Sequence, residues 1–395
     1  MLNRNKRFYA PSGAIYPGGP SYWQVIDWDQ RRLVTVKMDQ ELESEDPAFN
    51  GLLRHIDPLL PDVYLVHLSP EGGLMSTSDD PNDDETPCAF RPPLDAAQLP
   101  DGIETISRAE LEEVARIGPN VDLVVYPNSA RPNDKNLGFN WYEMCLWCRL
   151  KHPNIVPFDK VVVDELEGCF VGFTSKYIPG GTLKDNTTRV FKLKWLHQLT
   201  NVIDELNLNL GVAHQDVSPR NIVIDEPTDT LMLFDFNFSA RIGKYGHEEP
   251  RMISRERVHH DQEVLAVEQM DWSKHPDVCL DHSVSEFRKV LDEWCERRRK
   301  GAQVTINTQA PNFIDWPPIP DPPLTEVAIG IKMVKNMQKR YDWKRTDLMR
   351  EGKTILNWQR PPQNWPETND KAGDCQKYRS EEQSREIDGG KGPST

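Results

Sequence analysis

The 395-residue sequence predicts an α+β fold, and three observations carry that expectation. Apolar runs of strand length come in pairs around polar turns, as in YWQVIDWDQRRLVTVKM (22–38) and in HPNIVPFDKVVVDEL and CFVGFTSKYI on either side of Glu167-Gly168. Two other segments repeat their apolar residues at helical spacing. One places Leu196, Leu199, Ile203, Leu206 and Leu210 on one face; the other carries Val284, Phe287, Val290, Leu291 and Trp294 behind a Ser283/Glu286 capping box. Finally, GVAHQDVSPRNIVIDEPTDTLMLFDFNFSA (211–240) sets His214, Asp216 and Asn221 at the spacing H-x-D-x-x-x-x-N. Asp235 follows at the end of the apolar run LMLF, so that two apolar strands in a hairpin fix its separation from Asn221.

Taken in order, residues 1–20 are rich in Gly, Pro and Asn and read as loose. The strand pair of 22–38 turns at Asp29-Gln30-Arg31-Arg32, and Leu52, Leu53, Ile56, Leu59 and Leu60 mark a short helix within 40–60. The acidic, Pro/Gly/Ser-rich stretch 70–93 has no period and reads as linker. Ser107 stands where it would cap a helix over AELEEV. VDLVVY (121–126) is strand-like and ends in the loop chemistry of PNSARPNDKN. NWYEMCLWCRL (140–150) is helical by the spacing of Met144, Trp147 and Leu150, and GGTL (180–183) opens a turn. Beyond Gly243 the chain becomes charged over 244–262. PNFIDWPPIPDPP (311–323) is a polyproline-type spacer, residues 325–350 are expected as a basic amphipathic helix, and the last thirty or so residues as disordered.

A net charge of −15 argues against nonspecific nucleic-acid binding, which needs a basic surface to neutralise phosphates. The N-terminus has no apolar core of a signal peptide, and no window is long and apolar enough to span a bilayer. Seven scattered cysteines do not form a disulfide framework, so the expectation is a soluble, intracellular protein, cytoplasmic, with reduced thiols and no membrane or nucleic-acid partner. Cys145-x-x-Cys148 lacks a partner pair at zinc spacing and reads as core thiols. The lysines and arginines of 332–345 read as a solvated helical face.

The H-x-D-x-x-x-x-N string and the later Asp are the order of parts that phosphoryl transfer needs: one carboxylate to orient the attacking hydroxyl, and an amide with a further carboxylate to hold Mg²⁺. HQDVSPRN and DFN resemble the protein-kinase patterns H-R-D-L-x-x-x-N and D-F-G. HPNIV resembles the fourth strand of the kinase small lobe, and YIPGGTL the hinge. With RLKHPNIVPFDKVV and AHQDV-PRN, the chain is similar to a family of kinase-like proteins of filamentous fungi over about residues 100–300. The resemblance implies a two-lobed protein-kinase-like fold, with a small β-rich lobe, a larger mainly helical lobe and ATP between them. It makes Asp216 the catalytic-loop base and Asn221 and Asp235 the Mg²⁺ ligands. It gives His214 a structural role, has Glu143 offered to a strand lysine, and sets adenine against the hinge at Lys176, Tyr177 and Ile178. On this reading 1–68 is an accessory region with short strands, 69–100 a linker, 101–300 the kinase-like domain, 301–360 a spacer with the basic helix, and 361–395 a disordered tail.

The departures from the family pattern are specific. The Arg of H-R-D is Gln215, the catalytic-loop Lys is Ser218, and D-F-G ends in Asn237. No G-x-G-x-x-G precedes VDLVVY, that strand carries no Lys, and Lys135 stands only eight residues before Glu143, too close for the usual pair. No A-P-E or apolar anchor helix follows DFN; Asp271-Trp272-Ser273 imitates its start but meets Pro276. Three functions stay open: an ATP- and Mg-dependent phosphotransferase acting on Ser/Thr of a protein, a pseudokinase scaffold for a protein partner, and a small-molecule phosphotransferase of aminoglycoside- or choline-kinase type. The two gaps are also expected if segments are missing from the gene model.

Overall fold

The computed structural model describes residues 2–127, 135–243, 274, 276–322, 325–329, 332–336 and 342–362. Its described residues fall into two compact units. The first takes in the chain up to Cys148, then Phe158–Lys176 and the residues from Trp316 onward; the second takes Arg149–Pro157 and Tyr177–Asp315.

In the first unit a one-turn helix α1 (Arg4–Arg7) leads into a five-stranded sheet of β1 (Phe8–Ile15), β2 (Ser21–Asp27), β3 (Arg32–Met38), β4 (Leu65–Leu68) and β5 (Leu74–Ser78), paired in that order. The first three strands form an antiparallel meander, while β4 lies parallel to β3 and is reached across α2 (Asp46–Leu52). Val25, Val34, Val36, Met38, Leu52, Ile56, Val66 and Leu68 close on one another as the core. Each such side chain contributes about 1.5–3 kcal/mol through burial. Arg7 is buried beside Asp27, donating from Nε and Nη2 at 3.1 and 2.9 Å, which fixes the entry of β1. Residues 1–20 are therefore not loose: β1 pairs with β2, and Phe8 packs on Phe49 at 5.8 Å. Nor is 70–93 without structure, since β5 pairs with β4 and β6 (Pro87–Ala89) pairs with Asp342–Lys344. Strands β1 and β5 pair with neighbours although Pro and Gly dilute their apolar pattern, whereas β6 pairs with a strand remote in sequence and leaves no local period to read.

The second sheet contains β7 (Glu104–Ser107), β8 (Glu112–Gly118), β9 (Val121–Val125), β10 (Lys135–Gly138), β11 (Phe158–Val163) and β12 (Phe170–Lys176), ordered β7-β11-β12-β10-β9-β8. The β11–β12 hairpin turns at Gly168, where φ is +69°. Ser107 and Glu110 do form a capping box, but it closes one 3₁₀ turn; the expected helix gives way to β8, whose Val114–Ala115 stretch gains a partner strand in β9. Sheet pairing overrides the helix propensity of its glutamates. Helix α3 (Trp141–Trp147) starts two residues after β10 and is capped by Asn140, whose Oδ1 accepts from the Glu143 N–H at 3.2 Å. Val124, Leu137, Val162 and Val171 make this sheet's core. The helix expected over 325–350 is also overturned: Thr325–Ile329 and Lys332–Asn336 are antiparallel strands, and among the described residues of that stretch Arg345–Arg350 alone is helical. The β-branched residues Thr325, Val327, Ile329 and Val334 favour strands over a continuous helix.

In the second unit α4 (Leu193–Asp204) runs into a π-type turn, Glu205–Asn209, and buries Trp195, Leu196, Val202, Ile203 and Leu206. The pairs β13 (Val212–Ala213) with β16 (Ala240–Arg241), and β14 (Ile222–Asp225) with β15 (Thr230–Leu233), follow it. Helix α5 (Val284–Lys300) begins at the expected Ser283/Glu286 box and packs on α4. There Asp204 Oδ1 accepts from Trp294 Nε1 at 2.9 Å and from Arg298 Nη1 at 2.8 Å. The charged stretch 244–262, Asp271-Trp272-Ser273 and the C-terminal tail lie outside the described residues. Among the described residues no helix is long and apolar enough to cross a membrane.

Candidate functional site

The site is built on the β14–β15 hairpin, whose first and last residues are in register, Ile222 opposite Leu233. One step beyond, the Phe234 N–H donates to the Asn221 carbonyl at 3.1 Å, so Asn221 and Asp235 leave the same end of the hairpin. A third segment holds that end. Val156 N–H donates to the Leu233 carbonyl, Leu233 N–H to the Asn154 carbonyl, and Asn154 Nδ2 to the Leu231 carbonyl, at 3.0, 2.8 and 2.8 Å. HPNIV, expected as a strand of a small β-rich lobe, is thus a bridge to β15 in the second unit, and β11 begins only at Phe158.

His214 ties the two halves together. It is fully buried, its Nε2 lies 3.0 Å from the Phe234 carbonyl, and its Nδ1 accepts from the Asp216 N–H at 3.3 Å. That pattern requires a neutral ring protonated on Nε2. Burial enforces it by pushing the ring pKa down to about 4. The residues beside this tie sit in the left-handed region, Gln215 at φ 63° and Asp235 at φ 66°. Such backbone is strained for any residue but glycine, and it concentrates where side chains must be aimed.

The aimed groups converge. Asn221 Nδ2 donates to the Asp216 carbonyl and to its carboxylate, both at 2.9 Å, which leaves Oδ1 as the acceptor for a cation. Arg220 Nη2 donates to the two carboxylate oxygens of Asp216 at 2.9 and 2.7 Å. Asp235 has a pKa raised to about 6, first by burial and then by the charge of Asp216; the charge of Arg220 and then the Asn237 N–H work the other way. Ser218 Oγ and Asn237 Oδ1 are buried without a hydrogen-bond partner. Buried orphans of this kind call for a water, an ion or a ligand. The Asn221 amide oxygen and the Asp235 carboxylate are hard oxygen donors, the chemistry that suits Mg²⁺. Among the described residues no group of three or more His, Cys, Asp or Glu could hold a metal ion by itself. Cys145 and Cys148 are buried core thiols.

The other expected site residues are distributed along the chain. Glu143 is buried on α3 in the first unit. Lys176 ends β12, and the chain passes into the second unit at Tyr177 and the buried Ile178. One expectation is corrected: a lysine-bearing strand does precede Glu143. It is β10, third in the meander β8-β9-β10, which fits because its exit takes only Phe139 and Asn140. Lys135 Nζ lies 3.3 Å from Asp159 Oδ1. Sequence reasoning passed over two residues. Arg220 was legible as a cation four positions after Asp216, at the spacing of neighbours on a helical turn. Asn154 carried no such signal.

No family model matches the chain. It is similar to CBL-interacting protein kinase 11 of Oryza sativa subsp. japonica, at 30% identity over 104 residues, covering 25% of this chain and 20% of that protein. It is also similar to two proteins of Arabidopsis thaliana. CBL-interacting serine/threonine-protein kinase 21 is 34% identical over 97 residues, 23% of this chain and 22% of the relative. CBL-interacting serine/threonine-protein kinase 19 is 26% identical over 144 residues, 35% of this chain and 29% of the relative. The chain spans roughly a fifth to under a third of the length of these curated relatives. About a quarter of the chain is thus protein-kinase-like, carried on a mixed α+β fold.

Proposed function

We infer that this protein is an ATP- and Mg-dependent phosphotransferase of protein-kinase type, with the two-lobed architecture of that class and a Ser or Thr hydroxyl of a protein as acceptor. The observation that carries the reading is the cluster of Asp216, Arg220 and Asn221 at one end of the β14–β15 hairpin, with a carboxyl of raised pKa, Asp235, leaving the same end. In this reading Asp216 orients the acceptor hydroxyl and takes up its proton, while Asn221 Oδ1 and the Asp235 carboxylate hold Mg²⁺. Bound Mg²⁺ supplies neutralisation of phosphate charge. Ser218 leaves the loop without its usual lysine, and Arg220 brings a cation to the same carboxylate. Such charge stabilisation is the main contribution a phosphotransferase makes. His214 keeps Asp216 in place by accepting from its backbone, and Lys176, Tyr177 and Ile178 offer backbone to adenine.

A second reading, a pseudokinase scaffold that binds a protein partner and transfers little phosphate, is supported by Lys135, whose ammonium lies on Asp159. The discriminating experiment incubates wild type and Asp216→Asn with labelled ATP, Mg²⁺ and casein. Transfer by wild type, reduced about a hundredfold or more in the variant, supports the enzyme. Wild-type transfer no greater than that of Asp216→Asn sinks it and leaves the scaffold.

A further inference from the structure

The first unit holds a cavity of about 830 Å³, within the range of about 300–1,000 Å³ usual for small-molecule sites. Its wall is drawn from β3, β6, the start of α3, the start of β12 and the stretch 345–359, none of which carries the Asp216 loop. Arg31, Arg32, Arg91, Arg345 and Lys353 line it, and no Asp or Glu does, in a chain whose net charge is −15. Three of these arginines are matched by carboxylates set behind them: Arg31 by Asp122, Arg91 by Asp164, and Arg345 by Asp84.

Arg32 differs. It is 5% exposed, its Nη1 donates to the Leu60 carbonyl at 3.0 Å, and its Nε and Nη2 have no acceptor. Trp141, 4% exposed and packed edge-on against Phe170 at 5.3 Å, also has a buried N–H without an acceptor. Buried donors are nearly always paired, and two residues that line one cavity each carry an unpaired one, the pattern left where an acceptor is missing. Burial also lowers the Arg32 pKa, a shift that a bound anion would oppose. Phe139 and Phe170 add aromatic surface to the same wall.

We propose that this cavity binds a small organic anion, a carboxylate or phosphate monoester on a planar apolar body. Its head group accepts from Arg32 and from Trp141 Nε1, and its body lies against Phe139 and Phe170. The site is separate from the phosphotransfer loop and does not depend on that loop being active.

The test titrates the full chain calorimetrically with phenyl phosphate, benzoate and inorganic phosphate; the first two distinguish the head group. Saturable binding of one aromatic anion is expected, unchanged in an Asp235→Ala background. Trp141→Phe keeps a ring and removes the N–H, and should weaken binding about three- to tenfold; Arg32→Gln should weaken it about tenfold or more. Should Arg32→Gln fail to fold, Trp141→Phe decides. No saturable binding of either aromatic anion up to about 10 mM overturns the proposal. So does inorganic phosphate binding as tightly as phenyl phosphate, or Trp141→Phe binding as wild type does.

Discussion

Arg220 and Asp216, four residues apart, are joined through one guanidinium nitrogen that lies 2.9 and 2.7 Å from the two carboxylate oxygens. The arginine side chain is 55% exposed and the aspartate 14%. An exposed pair of this kind does little for stability; under the proposed function it places a cation where phosphate charge would arrive.

Replacing Arg220 therefore separates function from fold. Arg220→Ala is expected to unfold within a degree or two of wild type, while phosphate transfer falls about a hundredfold. Thermal unfolding alongside the transfer assay checks both. A large loss of stability with unchanged transfer would show that the arginine is structural.

Acid titration should reveal two buried groups working against each other. The His214 pKa is lowered to about 4, so its contribution is present above about 6.5 and is lost as pH falls through 4. The Asp235 pKa is raised to about 6, so its contribution is present below about 4 and is lost as pH rises through 6. Between pH 4 and 6 the two slopes have opposite sign and largely offset. Asp235→Asn removes one of them. It should be more stable than wild type at pH 7, and should lose on the order of 2–3 kcal/mol more than wild type between pH 7 and 4. Urea unfolding at several pH values measures this.

Gly211 precedes β13 at φ +69°, and a Cβ there would stand 2.6 Å from the Asn307 carbonyl oxygen. Gly211→Ala meets both backbone strain and a steric block, and should destabilise the second unit by about 2 kcal/mol or more. Denaturant unfolding of the variant checks it, and a loss below about 0.5 kcal/mol would mean that the 307 loop yields freely.

The parts legible in the sequence were those with a local period or a fixed spacing. The hairpin turning at Gly168, the stripe of α4, the Ser283/Glu286 box and the His214-to-Asp235 motif all appear where their residues placed them. The misreadings share a cause. Strands β1, β5 and β8 pair with their neighbours β2, β4 and β9 in segments whose Pro, Gly or Glu content hides a strand, while β6 is completed by the remote Asp342–Lys344, which no local pattern registers. HPNIV misled differently: its apolar residues suit a strand, but its Asn154 amide and backbone bind β15. In the candidate site, spacing alone singled out Asp216, Asn221 and Asp235 as candidates. The tie through His214 and the strained backbone at Gln215 and Asp235 exist only in three dimensions.

Whether Asp235 and Asn221 hold a magnesium nucleotide is read by thermal unfolding with increasing Mg·ATP. A ligand that binds only the native state stabilises by RT ln(1 + [L]/Kd), about 2.7 kcal/mol at a hundredfold excess over Kd. A saturable upward shift in wild type that requires Mg²⁺ and is lost in Asp235→Ala is expected. No shift at millimolar Mg·ATP, or an equal shift in Asp235→Ala, would contradict such binding.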